Sequence, residues 1–502
     1  MSKKLILFED HNLEFKKKFY ILMDLLISNQ SNSRLESFLL MTIFYLQIIS
    51  SFFSELLGIL DPKNSHSDEL LNYIENIFRF KNLFNNNLEY YRIFEIILFI
   101  VIILLIIHFF ISILLVTKST FYSLNQKFIN CYIKIFIYVG YNIIYDICFS
   151  SFCINSDDII KEDINHIRCI SQNKLIIVLS IINIVISLIF YIFLNIYYND
   201  SFYLSSSYYA KMSCHYDVFW GLNCLVISFI LSQIKTFTKE LFLLYNLVIS
   251  IILFIYYIKH YIYYDKYINI LTGIFHLLYA WMSILSLILA YLNFREKGII
   301  YIITSICIYF FYFNIKNRIE THIFVNTPFY KITNKFYLLH YFRKIFDLTN
   351  NVEISKEDRS LLSGMIKMHS TECPNPNCLL KTREDIYLPL TNKWNDKNKK
   401  EIEDEVFLKN FLVIVINYFL YAEDCSSDIY LNLSLYYLKE IGNFCQAIYY
   451  YKKVTELKLT LREKFSFIRL NLQISKKLLE KLKSSNEQCT ELEHLNTSMY
   501  FK

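Results

Sequence analysis

Glycine and proline are nearly missing from this chain, with 7 Gly and 5 Pro in 502 residues. No proline occurs between Lys63 and Thr327. Gly-rich phosphate loops and the broken helices of transporters are built from these two residues. Their scarcity fits the absence of G-x-x-x-x-G-K-[ST] and Rossmann fingerprints, and neither a kinase set nor G-x-S-x-G is found. Charge is also scarce: 19% of residues are charged, against about 25% in ordinary soluble domains. The formal net charge is only +6, too small for nucleic acid to be a main partner. Intramembrane charge is thin as well, which weighs against proton pumps and voltage sensors. With no catalytic constellation, the expected class is non-enzymatic.

What remains is apolar. The chain is 55% hydrophobic, with 44 Phe and 42 Tyr. An Ile/Asn/Lys/Tyr/Phe bias of this kind matches an AT-rich coding sequence, so aromatic and Asn enrichment is discounted as a functional signal. The run Ile96–Val116 is interrupted only by His108 and Ser112. About 20 apolar residues at 1.5 Å rise span the ~30 Å hydrocarbon core of a bilayer. The expected fold is therefore all-α: a polytopic transmembrane helical bundle of about eight spans, followed by a cytosolic TPR-like helical region.

Five segments are expected. Residues 1–34 form a basic amphipathic N-terminal arm carrying Lys16, Lys17 and Lys18. This arm is either an interfacial helix with its lysines at lipid headgroups or a short helix packed on the rest of the protein. The start MSKKLILFED lacks the apolar core of a signal peptide. Residues 35–316 form the transmembrane bundle. Its spans are Leu35–Phe53, Ile96–Val116, Ile129–Phe152, Leu175–Tyr198, Val218–Ile234, Leu241–Ile258, Tyr267–Leu292 and Ile299–Phe313. Residues 317–400 are juxtamembrane, 401–485 a TPR-like helical domain, and 486–502 a polar tail. Basic residues crowd the N-terminal arm and the segment after the last span, so both termini are expected in the cytosol. The bilayer is the first expected partner, in a membrane that the sequence does not specify.

Three groups of residues are candidates for function. His369, Cys373 and Cys378, in KMHSTECPNPNCLLK, have ligand-like spacing. Two thiolates and an imidazole suit zinc, and a closed structural site needs a fourth ligand. The alternative is a pair of reduced cysteines in a turn. Intramembrane polar residues are pathway candidates by default, and His108, Asp146 and His276 are the ones that would serve a channel or transporter. The third group lies in LSLYYLKEIGNFCQAIYYYKKV, residues 433–454. Leu435, Leu438, Gly442, Phe444, Ala447, Ile448 and Tyr451 stand at tetratricopeptide-type helix–turn–helix positions. Gly442 belongs at the turn and Ala447 at the closest helix approach. An ordinary helical hairpin is the simpler reading of the same pattern. Tyr449 and Tyr450 are expected to line a docking groove for a cytosolic protein or for self-association.

The layout resembles the tiny macrocysts protein B family of protist membrane proteins. The residues that carry the likeness are His369, Cys373 and Cys378, followed by Lys381, and the E-I-G-N-x-x-x-A-I-x-x-Y core from Glu440 to Tyr451. The resemblance implies a multi-pass protein with a cytosolic repeat domain and a signalling role, and it supplies no activity or catalytic residue. Family members continue into a PAS-type sensor region, which these residues do not include.

Overall fold

The computed structural model describes residues 2–28, 34–60, 88–116, 122–150, 174–232 apart from 203, 204, 206 and 212, 239–259, 262–292 and 427–484, with the isolated positions 312, 368, 371 and 372. Among the described residues every regular element is a helix. The chain divides into two compact units, 1–257 with 262–305 and 471–502, and 258–261 with 306–470.

The first unit begins with α1 (Ser2–Ser28) and α2 (Arg34–Leu60), followed by α3 (Leu88–Leu115). A continuous rod comes next: α4 (Tyr122–Ile135), a π-helical turn (Phe136–Gly140) and α5 (Tyr141–Ser150). The unit is completed by α6 (Lys174–Tyr197), α7 (His215–Ser232), α8 (Lys239–Lys259) and α9 (Lys266–Leu292). Five stretches of the described residues are long and apolar enough to cross a membrane: Ile93–Leu115, Asn125–Phe149, Ile177–Tyr197, Leu241–Ile258 and Tyr267–Ile288. They coincide within a few residues with the second, third, fourth, sixth and seventh expected spans. The expected fifth span falls in α7, a shorter apolar helix over His215–Ile230. The expected first lies in α2, whose side chains are described only as far as Gln47. The expected eighth, Ile299–Phe313, lies outside the described residues.

The side chains are sorted in the opposite sense to a soluble bundle. Ile97, Ile100, Leu104, Ile107 and Ile111 of α3 are exposed, as are Val178, Ile181, Val185 and Ile189 of α6 and Leu244, Val248, Ile252 and Ile255 of α8. The buried faces carry many polar groups, set among apolar ones such as Leu194, Phe275 and Leu285. On α6 they carry Ser180, Asn183, Ser187, Tyr191 and Asn195, and on α9 Asn269, Thr272, His276, Tyr279, Ser283 and Ser286. Steps of three and four keep each set on one side of its helix. Apolar surface of this extent is rare on a soluble monomer, whereas lipid leaves it at no cost and polar groups must turn inward. The chain is thus a membrane protein by its packing as well as its composition.

The α1 arm lies against the bundle. Phe15 stacks on Phe110 at 6.4 Å, and Phe19 meets Phe193 at 5.7 Å and Tyr197 at 5.2 Å. The last carbonyls of α1 accept from the rod, Leu25 from Gln126 at 2.5 Å and Leu26 from Asn130 at 3.2 Å. Carbonyls in the last turn of a helix need donors from outside its backbone ladder; α4 supplies them here, and the Ser28 hydroxyl also donates to Leu25 at 3.2 Å.

The second unit contains α10 (Ser427–Tyr436), a π-helical turn (Tyr437–Ile441), α11 (Phe444–Thr455) and the first part of α12 (Leu461–Ser484). Gly442 adopts φ +70°, a backbone that costs glycine little, and it ends the helix there. Asn443 starts the next helix by accepting from the Gln446 backbone at 3.1 Å. Across the hairpin Ser434 donates to the Ala447 carbonyl at 2.7 Å. Ala447 is fully buried, and only a small residue allows so close an approach. Thr460 and Glu463 form a capping box at the start of α12, with bonds of 2.7 and 3.4 Å. Glu463 also accepts from Ser427, which ties the first turns of α10 and α12 together.

Candidate functional site

One end of the bundle is closed by the segment between α6 and α7. Arg34, at the start of α2, lies over Tyr267 at 4.5 Å and Tyr208 at 5.5 Å. Tyr209 donates to the Ser37 carbonyl at 3.2 Å and stacks on Tyr138 at 4.6 Å. Tyr264, between α8 and α9, donates its backbone N–H to Ala210 at 2.9 Å. The first turns of α2 and α9 therefore meet on this segment. Burial pushes the Tyr209 hydroxyl well above its usual pKa, with the Glu36 carboxylate nearby adding to the rise.

Within this closure sits a charge pair removed from water. Lys211 and Asp217 form an ion pair, and both are almost fully buried. The Lys211 ammonium stands 4.9 Å from the centre of the Tyr263 ring, and the Tyr263 hydroxyl reaches Asp217 Oδ1 at 3.4 Å. The Lys211 backbone N–H donates to the Asp200 carbonyl at 2.9 Å, and Asp200 Oδ1 accepts from Phe202 N at 3.0 Å. Tyr191 donates to the Asp217 carbonyl at 3.0 Å. Tyr191 lies about two turns inside α6, so α7 begins below the helix end. A backbone that leaves the helix at this depth is tolerated only inside protein, and here it is walled by aromatic rings. Gly221 permits the approach, because a Cβ there would stand 2.3 Å from the Tyr191 ring.

Beneath the ion pair lies a polar, aromatic interior shared by α2, α7, α8 and α9. The hydroxyls of Tyr45 and Tyr216 are 3.3 Å apart, and Tyr216 shares a hydrogen bond with His276 Nε2. His276 is fully buried. Its ring meets Trp220 at 5.4 Å and Tyr257 at 5.9 Å, and Tyr45 stacks on Phe275 at 4.6 Å. Among the described residues His276 Nδ1 and Trp220 Nε1 have no hydrogen-bond partner. One turn further along α9, Tyr279 donates to Asn246 Oδ1 at 2.8 Å, and Tyr245 donates to Asn223 Oδ1 at 2.9 Å. The hydroxyls of Thr272, Ser283 and Ser286 bond to backbone carbonyls of their own helix at 2.8, 2.8 and 2.5 Å.

A second buried carboxylate lies on α3. Glu95 is fully buried and accepts from Ser180 of α6 at 2.6 Å. The π-helical turn adds a polar tie of its own. Gln47 of α2 donates to the Val139 carbonyl at 3.3 Å and accepts from Asn142 at 3.0 Å. A π turn misaligns carbonyls from the i−4 ladder, and Gln47 takes one of them up. Lys134 pairs with Glu36 at 3.0 Å, joining the rod to α2.

Of the three expected pathway residues, His276 lies in this interior. His108 stands against Phe128 and Tyr132 of the rod, at 5.5 and 5.9 Å. Asp146 is buried toward the end of α5. His108 and His276 share no neighbour among these contacts. Lys211, Asp217 and Glu95 are not among the residues expected from sequence. Asp217 and Glu95 each stand one residue outside an expected span, where edges drawn by hydropathy are least reliable. Lys211 reads as one base in a Ser/Tyr-rich loop. In the second unit Tyr449 is 53% exposed while Tyr450 is buried, its ring 5.3 Å from Tyr437. Burial, together with the neighbouring Tyr437 hydroxyl, holds the Tyr450 hydroxyl well above its usual pKa. His369, Cys373 and Cys378 lie outside the described residues. Among the described residues no group of three or more His, Cys, Asp or Glu is placed to hold a metal ion.

Compared with protein-family models, curated proteins and solved structures, the chain matches none.

Proposed function

We propose that this is a non-enzymatic, multi-pass integral membrane protein that presents a TPR-like helical region to a cytosolic protein partner or a second copy, as a membrane-anchored signalling scaffold. The observation that carries this reading is the hairpin of α10 and α11. Its Gly442 turn and Ser434–Ala447 contact are the features a tetratricopeptide-type pair requires. It leaves Ile441 and Tyr449 exposed, with Leu457 and Leu461 exposed just beyond it. Exposed tyrosines are among the residues that most often carry the energy of protein docking. Both termini lie in the cytosol in this reading, in keeping with the lysines of the N-terminal arm. A photoreactive amino acid at position 449 of the full chain tests the proposal in cells. An adduct with another protein or a second copy is expected, and adducts confined to the same chain count against it.

The second reading is a channel or transporter formed by the bundle. It is favoured by the buried polar faces of α6 and α9, since polar residues inside a membrane are costly and mark pathways. The spacing of His369, Cys373 and Cys378 supports a zinc loop in the juxtamembrane region. Metal analysis of the purified full chain should find zinc that Cys373→Ser removes; equal zinc in both would end that idea.

A further inference from the structure

We propose that the cleft between α3, α5 and α6 binds one alkali-metal ion, with Glu95, Ser180 and Asn183 as its ligands. The site belongs to the bundle itself and depends on neither reading of the whole chain. Three observations carry it. First, Glu95 is a fully buried carboxyl group that accepts from Ser180 at 2.6 Å. Second, Asn183 is fully buried one turn along the same face of α6. Among the described residues neither its Oδ1 nor its Nδ2 has a hydrogen-bond partner. Third, the orphaned atoms continue in the same direction. Ser187, a further turn along, and Tyr145 of α5 are buried, and their hydroxyls lack partners among the described residues. Unpaired polar groups are costly inside a protein and more so within a bilayer. Gathered on facing helices, they mark a space that something polar occupies.

The helices bring these groups together. α3, α5 and α6 pack on one another, and the rod runs antiparallel to α6. Tyr198 bonds to Asn130 near the rod's start, and Tyr191 meets Tyr141 at 4.3 Å. Tyr145 and Ser187 each stand one turn from that ring contact, on the side toward Glu95. Cys148 of α5 lies within electrostatic range of both Glu95 and Tyr145. The buried rings of Tyr141 and Tyr191 close the cleft on its deep side. On the other side, Glu95 stands two residues inside the apolar stretch from Ile93, and Ser180 three inside that from Ile177. Entry from water at that edge crosses about one helical turn, and no passage through the bundle is needed. The donors are all oxygen, which suits hard cations. A single carboxylate among them balances one positive charge, whereas a divalent ion would leave net charge where no water solvates it. The ion is held by a Glu95 oxygen, by Ser180 Oγ, whose hydrogen is spent on that carboxylate, and by Asn183 Oδ1. Ser187, Tyr145 and Asn183 Nδ2 hold the water that completes its shell.

The test uses sodium and the purified full chain in detergent, with ionic strength held by N-methylglucamine chloride. Equilibrium dialysis against radioactive sodium should give about one saturable ion per chain, and the same titration should raise the midpoint of thermal unfolding. Glu95→Gln keeps the volume and an acceptor for Ser180 but removes the charge. It should weaken sodium binding at least about tenfold, a loss seen even for groups one shell away from a metal. Asn183→Ala should weaken it likewise and decides the matter if the Glu95 variant does not fold. Val185→Ala, on the exposed face of α6, should leave binding unchanged. Equal binding in the original chain and in the Glu95 and Asn183 variants overturns the site, since the ion then sits elsewhere. Calcium bound more tightly than sodium overturns the assignment to an alkali-metal ion. No saturable binding overturns the proposal and leaves the cleft to water.

Discussion

At the scale of residues, the Lys211–Asp217 pair shows how much depends on a completed contact. Two charges have been taken from water, and each is tolerable because the other is present. Lys211→Met leaves Asp217 buried without a countercharge, and should destabilise the bundle by about 3–5 kcal/mol. The double variant Lys211→Met with Asp217→Leu should regain most of that loss, because a buried ion pair is often matched by apolar residues of similar volume. Thermal unfolding of the two in detergent decides it; equal loss in both would mean that the pair is not isolated as described. None of this was legible in the sequence. The residues are six apart in a stretch that reads as a loop running into a span, and the backbone before Lys211 is held by Asp200, whose carbonyl accepts from the Lys211 N–H, and by Ser207, whose hydroxyl accepts from the Tyr209 N–H at 3.3 Å. His276 was legible because a histidine inside an apolar run stands out. Its partners Tyr45 and Tyr216 were not, since tyrosine is common throughout this chain.

At the scale of elements, the long apolar helices were legible almost to their ends, because hydropathy over about 20 residues averages out local irregularity. The π-helical turn at Phe136–Gly140 was not. It lies inside an unbroken apolar pattern, and what accommodates it is Gln47, on a different helix. The α10–α11 hairpin was legible in detail, since a glycine turn and a small residue at a close approach are local requirements. Tyr450 is buried and Tyr449 exposed; adjacent tyrosines look alike in sequence, while helix geometry turns one inward and its neighbour out. Gly442 carries a direct expectation. Its φ of +70° is strained for any side chain, and a Cβ there would meet nothing within 4 Å. Gly442→Val should therefore cost about 1–3 kcal/mol through the backbone alone, and Gly442→Asn less. Hydrogen exchange over residues 427–455 of the full chain reads this. Unchanged protection in the valine variant would contradict the left-handed turn.

At the scale of the molecule, the first unit turns apolar residues outward and holds polar ones inside among buried aliphatic and aromatic side chains. Exposed Ile, Leu and Val on α3, α6 and α8 form the outer face, and Ser, Asn, Thr, His and Tyr lie inside beside residues such as Ile113, Leu194 and Phe275. That inversion follows from a solvent that offers no hydrogen bonds, and both the scaffold and the conducting readings depend on it. The most direct measurement is labelling of the full chain in its membrane with a photoreactive lipid, followed by mapping of adducts. Adducts are predicted at Leu104, Ile107, Ile111, Val185, Ile189, Leu244 and Val248, and not at Asn183, Ser187, His276 or Ser283. Adducts concentrated on the serine and asparagine faces, or a chain that carries none, would contradict it.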